Sequence, residues 1–268
     1  MAATLIDPLT HGVTQRAIAD LAILGAVCGP LGVWVVLHRQ SYAAESLAHS
    51  MLPGLVLAAL IGAPLGLGAA AGLAVAVALI ALASRGSAVG PDVAVAVTVT
   101  ALFGLGTLLA LSPEVPLRIG ELLFGDPLSV SGGDLAASGA LAFLVAGGLA
   151  LGARSLALAG FDPQSAPSLG SSPRRASAVL LALLALTTLV AVQALGNLLV
   201  VAIVIAPAAA ALRLQSRLLP SLFTASGLAI ACGIAGIYLS YYADLAAGAS
   251  VALCAVGLYA LTLPMGSP

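Results

Sequence analysis

Two ionisable residues, Glu45 and His49, stand four positions apart in a small and apolar stretch, Ala43-Ala44-Glu45-Ser46-Leu47-Ala48-His49-Ser50-Met51. On a helix that spacing puts both side chains on one face, one turn apart. A carboxylate oxygen and an imidazole nitrogen so placed can reach one divalent cation. The same spacing suits a plain Glu–His hydrogen bond near a helix end, and the residues alone leave both readings open. A zinc-protease helix would read H-E-x-x-H, with the glutamate as general base. Here the order is E-x-x-x-H, and His11 and His38 lie elsewhere in the chain. An intramembrane metalloenzyme is disfavoured on ligand count and order. No G-x-x-x-x-G-K-[ST] occurs, so ATP hydrolysis, if coupled to this chain, belongs to a separate polypeptide.

The elements that must position this pair are set by composition. Of 268 residues, 61% are hydrophobic and 7% charged, against roughly 25% charged in a soluble domain. So few charges cannot cover the surface of a water-soluble fold, and the bilayer is the solvent that suits them. The apolar runs are too long for barrel strands, and Ala and Gly dominate, which lets transmembrane helices approach closely. The expected class is an all-α polytopic membrane protein in one transmembrane domain over residues 1–268. The net charge of −1 offers no field for nucleic acid. Cys28, Cys232 and Cys254 lie in apolar stretches without a C-x-x-C and read as small buried hydrophobes. The first apolar run follows Asp7, His11 and Arg16 rather than a basic start and a small-residue cleavage site, so no cleaved signal is expected.

A span needs about 20 mainly apolar residues. Candidates fall near 17–37, 45–62, 66–83, 92–111, 134–153, 176–195, 197–213, 220–241 and 247–265, giving eight to nine transmembrane helices. The weakest boundary is Ala194-Leu195-Gly196-Asn197, a tight turn or a break within the membrane. Asp20, close to the start of the first span, reads as an interfacial acid. All nine basic residues are arginines. Arg39, Arg85, Arg154, Arg174, Arg175, Arg213 and Arg217 fall on one side of this arrangement and Arg16 and Arg118 on the other. The positive-inside rule then puts the loops at 38–41, 84–91, 154–175 and 213–219 in the cytoplasm.

Two loops exceed a turn. The outer one, 112–133, contains Leu122-Leu123-Phe124-Gly125-Asp126-Pro127. The cytoplasmic one, 154–175, contains Phe161-Asp162-Pro163 and ends its polar stretch at Gly170. Asp162 before Pro163 resembles an N-cap with proline at N1, and Gly170 a C′ stop. A helix of about two turns is expected between them, with Pro167 inside it; the alternative is a plain connecting loop. Gly196 and Pro207 interrupt helical packing or bonding and read either as points of flexibility or as close packing and a fixed kink.

Several stretches, taken in order, resemble the permease family of zinc, manganese and iron ABC importers. They are Cys28-Gly29-Pro30-Leu31-Gly32 through His38-Arg39-Gln40-Ser41-Tyr42 to Glu45-Ser46-Leu47-Ala48-His49-Ser50; Leu123-Phe124-Gly125-Asp126 with Val130 and Asp134-Leu135; Gln193 and Gly196 through Val201 to Ala209; and Tyr242-Ala243-Asp244 through Gly248 to Ala255. The resemblance runs from about residue 20 to 262. It implies a fold similar to the vitamin B12 and siderophore permeases, in a multi-pass chain of the bacterial inner membrane. It implies a second permease copy as a homodimer, a cytoplasmic ABC ATPase dimer below, an extracytoplasmic metal-binding protein above, and membrane lipid around it. No permanently bound cofactor is implied; the metal is cargo, zinc ahead of manganese, and ATP acts in the partner. The family's aspartate–histidine pair maps onto Glu45 and His49, with Glu for Asp, an arm one methylene longer. The family's coupling helix maps onto 162–170, with Asp162, Ala166, Leu169 and Gly170 as its residues. A permease for a metal chelate such as a siderophore or cobalamin, and a proton-coupled secondary transporter, are the competing readings.

Overall fold

The computed structural model describes residues 12–84, 91–112, 130–195 and 197–265. Among them every regular element is helical: α1 Gly12–Leu37, α2 Ser41–Ser50, α3 Leu52–Leu60, α4 Leu65–Ala83, α5 Pro91–Ala110, α6 Gly132–Phe161, α7 Pro173–Leu195, α8 Asn197–Leu214, α9 Leu218–Ala243 and α10 Ala247–Thr262. One turn of 3-10 helix, Ala166–Leu169, joins α6 to α7. Among the described residues seven segments are long and apolar enough to cross a membrane, with α2 and α3 counted together as Ser41–Leu60. Two shorter apolar helices, Leu199–Leu214 and Ala247–Thr262, lie where the candidates near 197–213 and 247–265 were expected.

The chain divides into two compact units. One runs to Leu37, takes in α6 as far as Arg154, and resumes from Val190; the other holds His38 to the end of α5 and Ser155–Leu189. In the first, α1 packs against α8 and α9, and α10 packs against the same two. Its core includes Val33, Ala208, Ala211 and Ala225, all fully buried. The pairing depends on missing side chains: a Cβ on Gly32 would run into the Val204 carbonyl of α8, and one on Gly29 into the α9 backbone at Ala225. Ser226 Oγ donates to the Ala26 carbonyl at 2.9 Å across the same seam. Arg213 fastens α10 by donating to the carbonyls of Thr262, at 3.4 Å, and Leu263, at 3.1 Å. These are orphan acceptors at a helix C-terminus, where a cation is favoured.

In the second unit α3 packs on α4 and α5, and α2 on α5. Leu52 and Val56 form its local core with Leu60 and Leu109. Gly54 and Gly68 meet backbone to backbone, so neither position has room for a Cβ.

Three boundaries differ from the sequence expectation, each for a physical reason. The second span begins at Ser41 rather than at 45 and is interrupted at Met51. Pro53 has no N–H to give the His49 carbonyl, its partner four residues back; the Met51 N–H turns to that carbonyl instead. Next, α6 runs on to Phe161, so the connecting segment is 162–172 rather than 154–175. Arg154 is an exposed helical residue, not the start of a loop, since a long cationic side chain can leave a helix for the interface. At 30 residues α6 is about 45 Å long, well beyond the hydrocarbon thickness. Finally, the expected two-turn helix at 162–170 is a turn followed by four residues of 3-10 helix. Pro163 at N1 costs nothing, but Pro167 lacks the N–H that an α-helix would donate to the Pro163 carbonyl four residues back. The stop at Gly170 stands as expected, at φ 79°.

Candidate functional site

The approach to α2 is a tight loop, His38-Arg39-Gln40. Arg39 takes a positive φ of 56°, uncommon for a side chain with a Cβ. The loop is tied to its own unit: His38 Nε2 donates to the Leu156 carbonyl at 3.1 Å, and Gln40 Nε2 to the Ser177 carbonyl at 3.3 Å. Burial holds the His38 imidazole below its ordinary titration range, with the Leu156 carbonyl opposing that shift. The neutral ring is therefore the form that fits.

On α2 the apolar residues Ala43, Ala44, Leu47 and Ala48 are buried, and with them Ser46 and Ser50. Glu45 is exposed and His49 half-buried. Spacing on one helix puts them a turn apart, as the sequence implies. They are not bonded to each other: His49 Nδ1 is buried and has no hydrogen-bond partner. The ring instead stands edge-on to Phe103 of α5, centroids 5.6 Å apart at 74°. So the alternative of a structural Glu–His hydrogen bond is not what this arrangement contains. The arrangement leaves an imidazole nitrogen without a partner and an exposed carboxylate one turn away, two groups of the kinds that bind divalent ions. Among the described residues no three His, Cys, Asp or Glu side chains gather into a complete metal cluster. A cation taken up by this pair would need its remaining ligands from outside those residues.

Sequence reasoning missed two features here. The helix is interrupted at Met51, two residues after His49; Pro53, four residues after His49, was the signal. Phe103 as the neighbour of His49 had no sequence signal, because it depends on how α2 and α5 pack. Asp20, read as interfacial, is fully buried within α1.

The 162–170 segment is built in layers. Asp162 Oδ1 accepts from the Ser165 N–H at 3.1 Å, and the Ser165 hydroxyl together with this amide holds its carboxyl below the usual carboxylate range. Ala166 is fully buried, whereas Leu169 is 53% exposed and Phe161 63%. The Ser171 N–H closes the turn on the Ala166 carbonyl at 2.9 Å. Of the four residues expected to couple, then, Asp162, Ala166 and Gly170 shape the segment and Leu169 is the one it presents. Beside it an open pocket is lined by Ser155, Pro167, Ser171, Arg174 and Arg175.

Pro207 is buried inside α8, which continues through it. Gly196 lies outside the described residues, as does the stretch Leu122 to Pro127.

Comparison with known proteins places this geometry. A family model described as the ABC 3 transport family matches residues 10–265. The manganese transport system membrane protein MntC of Halalkalibacterium halodurans is 34% identical over 254 residues, 94% of this chain and 87% of that protein. The probable iron transport system membrane protein of Haemophilus influenzae is 30% identical over 259 residues, 97% of this chain and 96% of that one. The solved structure of PsaBC from Streptococcus pneumoniae in complex with Fab is similar at a TM-score of 0.84 and 25% identity, covering 98% of this chain and 95% of that one.

Proposed function

Because this chain belongs to the ABC 3 transport family, as a membrane-spanning permease subunit of metal-ion importers, we propose that it carries manganese or a similar divalent ion into the cytoplasm. The observation that carries the reading is the pair of unbonded donors on α2: exposed Glu45 and His49 with its empty Nδ1. A mixed oxygen and imidazole donor set suits first-row divalent ions, and a glutamate oxygen favours the harder ones such as manganese. The relatives named for manganese and iron support that order over zinc first.

Two ligands are too few for a stable site. A second copy of the chain, related by a two-fold axis, would bring two Glu45–His49 pairs together around one ion. Two carboxylates would balance its charge, which a path through low dielectric requires. A transported ion must also leave, and donors contributed by two chains release it when the chains separate. The interruption at Met51 fits this role: irregular backbone at membrane depth is tolerated where it lines a polar path.

Energy for that separation comes from an ATPase pair docked on segment 162–170. Leu169 is the apolar knob, and Arg174 and Arg175 flank the pocket that receives the partner's side chains. An extracytoplasmic binding protein delivers the ion on the other side. The carboxylate, imidazole and ATPase-facing knob favour a bare ion over a chelate or a proton-coupled cycle.

The test is metal accumulation by cells expressing the chain with its ATPase and binding protein, offered manganese, iron and zinc in turn. His49→Ala and Glu45→Ala are expected to lower uptake of one metal by at least about tenfold with normal expression. Uptake of every metal unchanged in both variants would remove the pair from the path.

A further inference from the structure

Helix α6 ends at Phe161 and α7 begins at Pro173, so the segment between them moves with the ends of those two helices. Both ends are gripped by the short loop that leads into α2. His38 Nε2 donates to the Leu156 carbonyl, in the last two turns of α6, at 3.1 Å. Gln40 Nε2 donates to the Ser177 carbonyl, in the second turn of α7, at 3.3 Å. Only Arg39 separates the two gripping residues.

The grip on α6 is close. A Cβ on Gly160 would stand 3.2 Å from His38 Nε2 and 3.4 Å from Cδ2, so any larger residue there displaces the ring. On the other side the loop joins α2 directly. The Gln40 carbonyl accepts the Ala44 N–H at 3.1 Å, in the first turn of α2, and Glu45 is the next residue. Gln40 therefore holds α7 with its side chain and α2 with its main chain. The loop has little slack to absorb a displacement: Arg39 sits at φ 56°, a conformation that a residue with a Cβ keeps where its surroundings fix it. Gln40 Oε1 is buried and, among the described residues, without a partner. The amide thus keeps an acceptor for a second arrangement of α7, as a contact with two discrete states requires.

We propose that His38 and Gln40 are positioning residues that carry a displacement of the 162–172 segment into α2, and so move Glu45 and His49 in step with the ATPase. This rests on the reading of that segment as the ATPase dock and of α2 as the ion's helix. Neither residue touches the ion. Cutting their bonds separates ATP hydrolysis from ion movement, whereas a purely structural staple would change stability alone.

The test uses the full permease–ATPase complex, in lipid nanodiscs for hydrogen exchange and in proteoliposomes with binding protein and manganese for transport. In wild type, trapping the ATPase with vanadate should change exchange at both 162–172 and 38–50. Gln40→Met keeps the length and loses the donor; His38→Phe keeps a ring and loses the donor. In both, the change at 162–172 should remain and the change at 38–50 should shrink. Manganese moved per ATP hydrolysed should fall by at least about threefold. His38→Gln, with a donor at similar reach, should recover most of that loss. Gly160→Ala should behave like His38→Phe, although alanine suits a helix better than glycine, and it decides the matter if the other variants do not fold. A wild-type response at 38–50 and a wild-type ratio in these variants, whatever their Tm, would overturn the proposal. A wild-type complex whose 162–172 exchange ignores nucleotide would overturn the docking reading and the proposal with it. If no protein moves manganese, the metal reading fails separately, and the exchange at 38–50 still decides the coupling.

Discussion

At the scale of single residues, what distinguishes His49 is an unmet need. Most buried polar atoms in a folded protein are paired, and Nδ1 of His49 is not. Glu45 differs, since an exposed carboxylate is already solvated and gives up water to bind. The two ligands should therefore respond differently to change. Glu45→Asp keeps the donor and shortens its reach, and it should retain a measurable part of the uptake that Glu45→Ala loses. Asp162 gives a residue-scale prediction of another kind. Its bond to Ser165 holds the carboxyl below the usual range, so the turn is stabilised above the ordinary carboxylate value of about 4 and loses that help as pH falls through the lowered one. Hydrogen exchange at the Ser165 amide, corrected for its intrinsic rate, should lose protection on acidification in wild type and lack it at all pH in Asp162→Ala.

At the scale of elements, the sequence made helices legible because long apolar runs have one stable form in a bilayer. It made interruptions less so. The span carrying Glu45 and His49 reads as a single segment by hydropathy, and only Pro53 hints that the helix is broken at Met51. Pro53→Ala would restore a donor for the His49 carbonyl. It is expected to raise thermal stability modestly and to lower metal uptake, because the straightened helix turns His49 away from its position beside Phe103. The length of α6 was misjudged because Arg154 looked like a loop residue. The short 3-10 turn was misjudged because Pro167, inside the expected helix, outweighs a good cap. Close helix packing was legible in kind, from the abundance of small residues, but not in place. Gly54 is such a place, set against the Gly68 backbone. Gly54→Ala should destabilise by about 1–3 kcal/mol through overpacking, seen as a lower midpoint in thermal unfolding.

At the scale of the whole molecule, family membership followed from short motifs whose order, not individual strength, was specific. The candidate site was legible only as a pair of residues. Spacing gave Glu45 and His49, and the fold added that they are unbonded. The full ligand set was not, since two donors on one helix require others that this chain's described residues do not gather. The arginine bias that sets orientation makes its own prediction. A cysteine placed at exposed Leu169 should react with a membrane-impermeant thiol reagent only from the cytoplasmic side, and ATPase association should protect it.

The central claim, that His49 lies on the ion's path, is tested most directly in proteoliposomes holding the permease with its ATPase and supplied with binding protein and manganese. The account predicts that His49→Ala still hydrolyses ATP yet accumulates little manganese. Accumulation by His49→Ala at the wild-type rate would contradict it.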